Sequence, residues 1–208
     1  MNIDVGTSIV PVKLIGRGSF STVWRSVDNP DTVFIKALYE IDDEIVDYAK
    51  VTLEHVNRFR SPNVHIPPME GVSQICTRKH RKDFVYAIYQ TTYSEKLTPD
   101  YTKQWKLFET LVEAEEQAWS KFPEKNKKEG WASFNYAQDM IDMLEGKVPD
   151  TMIKALDDLY LWGGSICGDL KFDFKDTNFR VRGEYLLFTD PVHNPYTYRK
   201  HMSMKRGY

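Results

Sequence analysis

Cysteine is nearly absent: Cys76 and Cys167 are the only two in 208 residues. Two isolated thiols exclude a disulfide framework and a cysteine-built zinc site. Long apolar runs are missing too. No stretch approaches the roughly 18 residues that a membrane span needs, so no membrane partner is expected. Neither sign of charge is in surplus, because 28 Lys and Arg stand against 30 Asp and Glu, a formal net charge of −2. That balance gives no overall electrostatic drive toward nucleic acid, which is therefore not expected as a partner either. The five His are scattered without metal-ligand spacing. There is no internal repeat and no low-complexity tract. The opening Met1-Asn-Ile-Asp-Val5 lacks the basic start and apolar core of a secretion signal, so a cytoplasmic location is expected.

What is present is ordinary globular material, 41% apolar and 28% charged. The length suits one domain or two small lobes with a real core. Residues 10–15, 22–27 and 33–38 have strand character, separated by a turn over Gly16-Arg-Gly-Ser-Phe-Ser21 and another at Asn29-Pro-Asp31. From Asp42 to Phe59, the positions Ile45, Ala49, Leu53 and Val56 recur at helical spacing, and Ser61-Pro-Asn63 ends that helix. Residues 69–76 and 84–90 form a hairpin around the basic turn Arg78-Lys-His-Arg-Lys82. The first lobe, residues 1–92, is thus expected to be a five-stranded antiparallel sheet with one helix.

The second lobe, residues 93–208, is expected to be mostly helical, giving an α+β fold. A helix opens near Pro99 and carries Trp105, Phe108, Leu111, Val112 and Trp119 as an apolar stripe towards Phe122. Residues 121–130 form a polar connection. Residues 136–144 make a second helix, and Pro149 opens a third that Gly163-Gly164 should stop. Trp105, Trp119, Trp131 and Trp162 are expected in the core. The basic turn at residues 78–82 and the basic tail from Tyr198 are expected to be a solvated turn and a frayed end.

The chemistry concentrates in Lys171-Phe-Asp-Phe-Lys-Asp-Thr-Asn178, followed by Tyr185-Leu-Leu-Phe-Thr-Asp190. Asp173, Lys175, Asn178 and then Asp190 reproduce a D-x-K-x-x-N … D pattern suited to phosphoryl transfer. One carboxylate orients a hydroxyl, a cation covers the moving phosphoryl group, and an Asn with a second carboxylate holds magnesium. A hairpin centred on Val181 and Leu186 would bring Asn178 and Asp190 together, and an oxygen pair there suits a hard cation. Upstream, Gly16-Arg-Gly-Ser-Phe-Ser-Thr-Val23 is close to G-x-G-x-x-G-x-V, with Ser21 replacing the third glycine. Glycines let the backbone approach phosphates. Lys36 lies inside an apolar strand, where an ammonium is costly unless it meets an anion. The plainer reading of Lys36 is a side chain reaching water at a strand edge.

With these residues in order, the chain resembles the protein kinase superfamily. Phe172-Asp-Phe-Lys-Asp-Thr-Asn-Phe179 with Thr189-Asp-Pro-Val192 is most similar to the small early serine/threonine kinases of podophages. The resemblance implies a minimal bilobal fold with a truncated second lobe, using ATP and Mg2+ or Mn2+. It implies host proteins as substrates or targets, and a place in the host cytoplasm where host transcription or translation is redirected. Carried over, Asp173 and Lys175 are catalytic, and Asn178 and Asp190 hold the metal. Ile15, Gly16, Arg17, Gly18, Ser19, Phe20, Ser21, Val23 and Lys36 form the nucleotide site.

Departures are visible as well. Phe172 stands where the family has Arg before its catalytic Asp, which argues against activation through that Arg. No Ala-Pro-Glu follows Asp190, and 18 residues leave no room for the later helices of a full kinase lobe. The acidic partner of Lys36 is open between Glu54 and Asp42. Cys167-Gly-Asp169 offers a competing register, that of a small-molecule phosphotransferase, but its spacing to Asn178 is four residues too long. A kinase-fold protein that inhibits a host enzyme without catalysis is the other alternative.

Overall fold

The strands of the first ninety positions are rich in valine, isoleucine, threonine and aromatic residues, whose side chains fit a pleated surface better than a helix. The computed structural model describes residues 2–4, 9–17, 21–40, 63–67, 69–77, 84–121, 134–167, 171–189 and 192–193. The expected helix over residues 42–59, with Glu54 and Asp42, lies outside them, as do the basic turn at 78–82 and the connection at 122–130. The chain divides into two compact units, Met1–Pro62 with Pro67–Tyr93, and Asn63–Ile66 with Ser94–Tyr208.

The first unit is a sheet of β1 (Asn2–Asp4), β2 (Ile9–Arg17), β3 (Ser21–Ser26), β4 (Thr32–Glu40), β5 (Met69–Thr77) and β6 (Phe84–Thr92). Its order is β1-β2-β3-β4-β6-β5, and every neighbouring pair is antiparallel. The sheet has six strands rather than the five expected. The additional edge strand β1 pairs Asn2 with Pro11 and Ile3 with Val10, and a three-residue strand is too short to show a period of two. Of the residues 16–21 expected as a turn, Gly16 and Arg17 belong to β2 and Ser21 opens β3. A register shift between Leu14 and Gly16 makes Ile15 the extra residue of a bulge. Val12 and Phe34 form the buried centre with Val10 and Trp24 against them. Between β3 and β4, Ser26 Oγ accepts the Asn29 N–H at 3.0 Å, and Thr32 N–H donates to the Asn29 carbonyl at 2.9 Å.

The second unit contains three helices among the described residues: α1 (Thr102–Lys121), α2 (Phe134–Leu144) and α3 (Asp150–Cys167). On α1 the buried positions Gln104, Phe108, Leu111, Ala114 and Ala118 follow the helical period and line one face. Trp105 and Trp119 pack against that core partly buried; Trp131 and the Trp162 side chain lie outside what is described. Tyr136 of α2 donates its phenol to Glu115 Oε1 of α1 at 2.7 Å. Burial, followed by that carboxylate, pushes the phenol far above its ordinary range. Gly146, at φ +70°, ends α2 with the Leu144 carbonyl accepting the Lys147 N–H. Contrary to expectation, α3 runs through Gly163-Gly164 to Cys167. Glycine costs a helix about 1 kcal/mol against alanine but permits its dihedrals, whereas proline would have forced the stop.

Beyond α3 come β8 (Lys171–Phe172), a 3-10 turn (Asp176–Asn178), β9 (Phe179–Arg182), β10 (Tyr185–Phe188) and β11 (Val192–His193). A short strand β7 (Glu95–Lys96) extends the β9–β10 hairpin to three strands. Gly183, at φ +59°, turns the hairpin so that Val181 faces Leu186. The mixed α+β class is as expected. Among the described residues no helix is long and apolar enough to cross a membrane.

Candidate functional site

The segment from Phe172 to Phe179 is shaped by its alternation. Phe172, Phe174 and Phe179 are buried, while Asp173 and Lys175 face outward between them. Aromatic neighbours fix the three rings. Phe172 and Phe174 lie 5.1 Å apart between centroids, Phe174 and Phe179 5.7 Å, and Phe179 meets Phe108 at 5.2 Å and Phe188 at 5.4 Å. Phe172 thus serves the core. The backbone closes two turns, with Lys175 N–H donating to the Asp173 carbonyl at 3.0 Å and Asn178 N–H to the Lys175 carbonyl at 2.8 Å.

Three of the expected site residues converge here. The Asp173 carboxylate receives the Lys175 ammonium at 2.8 Å on one oxygen and 3.1 Å on the other. The Asn178 carboxamide donates to the Asp173 carbonyl at 2.8 Å and to its carboxylate at 3.0 Å. With its nitrogen so engaged, Asn178 Oδ1 accepts no hydrogen bond among the described residues. An amide oxygen of this kind is a fitting ligand for a hard cation. Lys175 is 65% exposed and Asp173 26%, so the pair lies at the surface. Asp190 and Asp169 both lie outside the described residues. Thr189, one residue before Asp190, is held on the Asn178 carbonyl by its N–H and its hydroxyl, each at 2.9 Å. Groups of three or more His, Cys, Asp or Glu arranged to hold a metal are absent among the described residues.

The remaining site residues belong to the first unit. Ile15 is exposed, Gly16 half-buried and Arg17 exposed at the end of β2. Gly18, Ser19 and Phe20 lie outside the described residues. Ser21 pairs with Ala37, and Val23 pairs with Gly16 on one side and Ile35 on the other. A methyl group added at Gly16 would meet Val23 Cβ at an ordinary 3.6 Å, so packing alone does not demand glycine there. Lys36 stands opposite Thr22 in β3 and Ile88 in β6, and is therefore in an interior strand of the sheet.

Sequence reasoning missed a brace on β10. Residues Asn63–Ile66, expected in the first lobe, pack in the second unit. Asn63 accepts the His65 N–H at 2.9 Å and donates its Nδ2 to the Thr151 carbonyl at 2.8 Å. The buried His65 ring meets the Leu186 carbonyl through Nδ1 at 2.8 Å and the Thr151 hydroxyl through Nε2 at 3.0 Å. A carbonyl only accepts, so Nδ1 carries the proton and Nε2 takes the hydroxyl hydrogen. The His65 carbonyl in turn accepts the Phe188 N–H at 2.8 Å. These contacts span 86 and 121 residues of sequence, and no local pattern announces them.

Burial lowers the His65 pKa below its ordinary 6.5, with the Leu186 hydrogen bond opposing in part. A histidine kept neutral by folding gives its full stability above pH 6.5. It loses that stability as pH falls from there towards the depressed folded value, because the unfolded chain binds the proton first. Urea midpoints measured between pH 7.5 and 5.5 should therefore fall more steeply in the wild type than in His65→Gln. Parallel slopes would show that His65 does not carry the effect.

No protein-family model matches this sequence, and no curated protein matches it.

Proposed function

We propose that this chain is an ATP-dependent serine/threonine protein kinase of minimal bilobal kinase-like fold, phage-encoded and acting on proteins of its host. The observation that carries the reading is the Asp173 carboxylate held at the surface by Lys175 and Asn178 over a buried aromatic floor. In this reading Asp173 accepts the proton of a Ser or Thr hydroxyl as its oxygen attacks the γ-phosphorus of ATP. The bond from that phosphorus to the β–γ bridging oxygen breaks, and ADP leaves. Lys175 turns from the carboxylate to the charge gathering on the transferred group. Lys36 meets the α- and β-phosphates, and the backbone from Ile15 to Val23 covers them. Asn178 and Asp190 would hold magnesium or manganese, which supplies charge neutralisation between the phosphates.

Incubation with γ-labelled ATP, magnesium and a host extract tests this directly. Label should appear on protein Ser or Thr and be lost in Asp190→Ala. If wild type transfers no label with either metal, catalysis is excluded; if Asp190→Ala retains its full effect in the host, the inhibitor reading replaces it.

Lys36 provides a separate measure. Ligand linkage requires Mg-ATP at a hundred times its dissociation constant to stabilise the fold by about 2.7 kcal/mol. Wild type should show that rise in melting temperature, and Lys36→Ala should lose it. No rise in wild type at saturating Mg-ATP would remove the nucleotide site altogether. Lys36→Arg is a poor control, since the two cations differ in shape and hydration.

A further inference from the structure

We infer that the Thr189 hydroxyl is a positioning group that fixes the Asn178 carboxamide on Asp173. For its effect on rate this rests on the kinase reading; for its geometry it does not.

The β9–β10 pairing ends with Phe179 against Phe188, and a further step along it would set Asn178 against Thr189. That step supplies the expected backbone bond, from Thr189 N–H to the Asn178 carbonyl. One ladder bond leaves the carbonyl's second lone pair open. The Thr189 hydroxyl fills it at 2.9 Å, so a single oxygen is held from two directions by one residue. Asn178 is thereby pinned at three points of its backbone and side chain. Its N–H is on Lys175, its carbonyl on Thr189, and its carboxamide on the Asp173 carbonyl and carboxylate.

The consequence follows from where Asn178 lies. It is the last residue of the 3-10 turn, with extended backbone on both sides of that turn. Such a turn is held by few hydrogen bonds of its own, so a small rotation at Asn178 swings the carboxamide off Asp173. A second donor on the carbonyl opposes that rotation. A strand that needed only a β-branched residue here would be served equally by valine, which has the shape without the donor.

The test compares wild type with Thr189→Val and Thr189→Ser, reading the Asn178 side-chain amide resonances and the steady-state kinetics of transfer. Thr189→Val should displace those resonances and lower kcat by about tenfold or more, the range for losing a group that orients a ligand, with KM for ATP unchanged. Thr189→Ser should restore both. Unmoved Asn178 resonances in Thr189→Val overturn the inference whatever happens to the rate, and moved resonances with an unchanged kcat overturn the functional half of it. If wild type transfers no phosphate, the kinase reading falls, and the resonances alone decide the positioning claim. Should valine prevent folding, Thr189→Ala, which keeps the backbone N–H, takes its place in both measurements.

Discussion

Phe179→Ala should lower the free energy of unfolding by about 3–5 kcal/mol, the range for emptying a large aromatic site in a packed core. The residue is fully buried and touches rings from three directions: Phe108 on α1, Phe174 in the site segment and Phe188 on β10. None of these can collapse into the space without dragging its own element. α1 is tied to α2 through Tyr136 and Glu115, and β10 is tied to His65. The loss is then a large part of the roughly 5–15 kcal/mol that holds a domain together. Urea unfolding should show it as a lower midpoint with little change in slope. Phe179→Leu should cost far less. A loss under about 1 kcal/mol for alanine would mean that the ring is not in the centre of a packed core.

Part of the site segment was legible because its signal is local. The five-residue step from Asp173 to Asn178 is read directly along the chain, and the structure closes it with a hydrogen bond. The stripe on α1 and the Val181–Leu186 hairpin were readable for the same reason.

What stayed hidden was non-local or thermodynamically weak. Nothing around His65 announces that its ring will bridge Leu186 and Thr151, because the bond is a matter of three distant segments meeting. The insertion of β6 between β4 and β5 is likewise a choice among pairings that local pattern leaves equal. β1 is too short to carry a period. At Gly163-Gly164 the difference is one of magnitude: two glycines weaken a helix by an amount that packing can override. Thr189 went unnoticed because a threonine in a strand is commonplace until its hydroxyl has an address.

On the proposed kinase reading, Asp173→Asn should reduce phosphate transfer by about a hundredfold or more while leaving the ATP-dependent rise in melting temperature intact. The magnitude is that of a positioned general base, and the change is nearly isosteric, so shape is not the variable. The new amide oxygen at position 173 could still receive the Asn178 carboxamide, whose other bond, to the backbone carbonyl, is untouched. Lys175 loses the charge of Asp173, but an ion pair whose cation is 65% exposed contributes about 1 kcal/mol or less to stability. The variant should therefore be folded and nucleotide-competent, with only the acceptor of the hydroxyl proton removed. Asp169→Asn is the comparison that makes the result specific, because Asp169 is the rival carboxylate in the Cys167-Gly-Asp register. It lacks the five-residue spacing that brings Asp173 onto Asn178, so its variant should retain most activity. If the ranking is reversed, the proton acceptor is Asp169, and the Asp173–Lys175–Asn178 cluster becomes a structural turn. The acceptor would then be sought among small molecules instead of proteins.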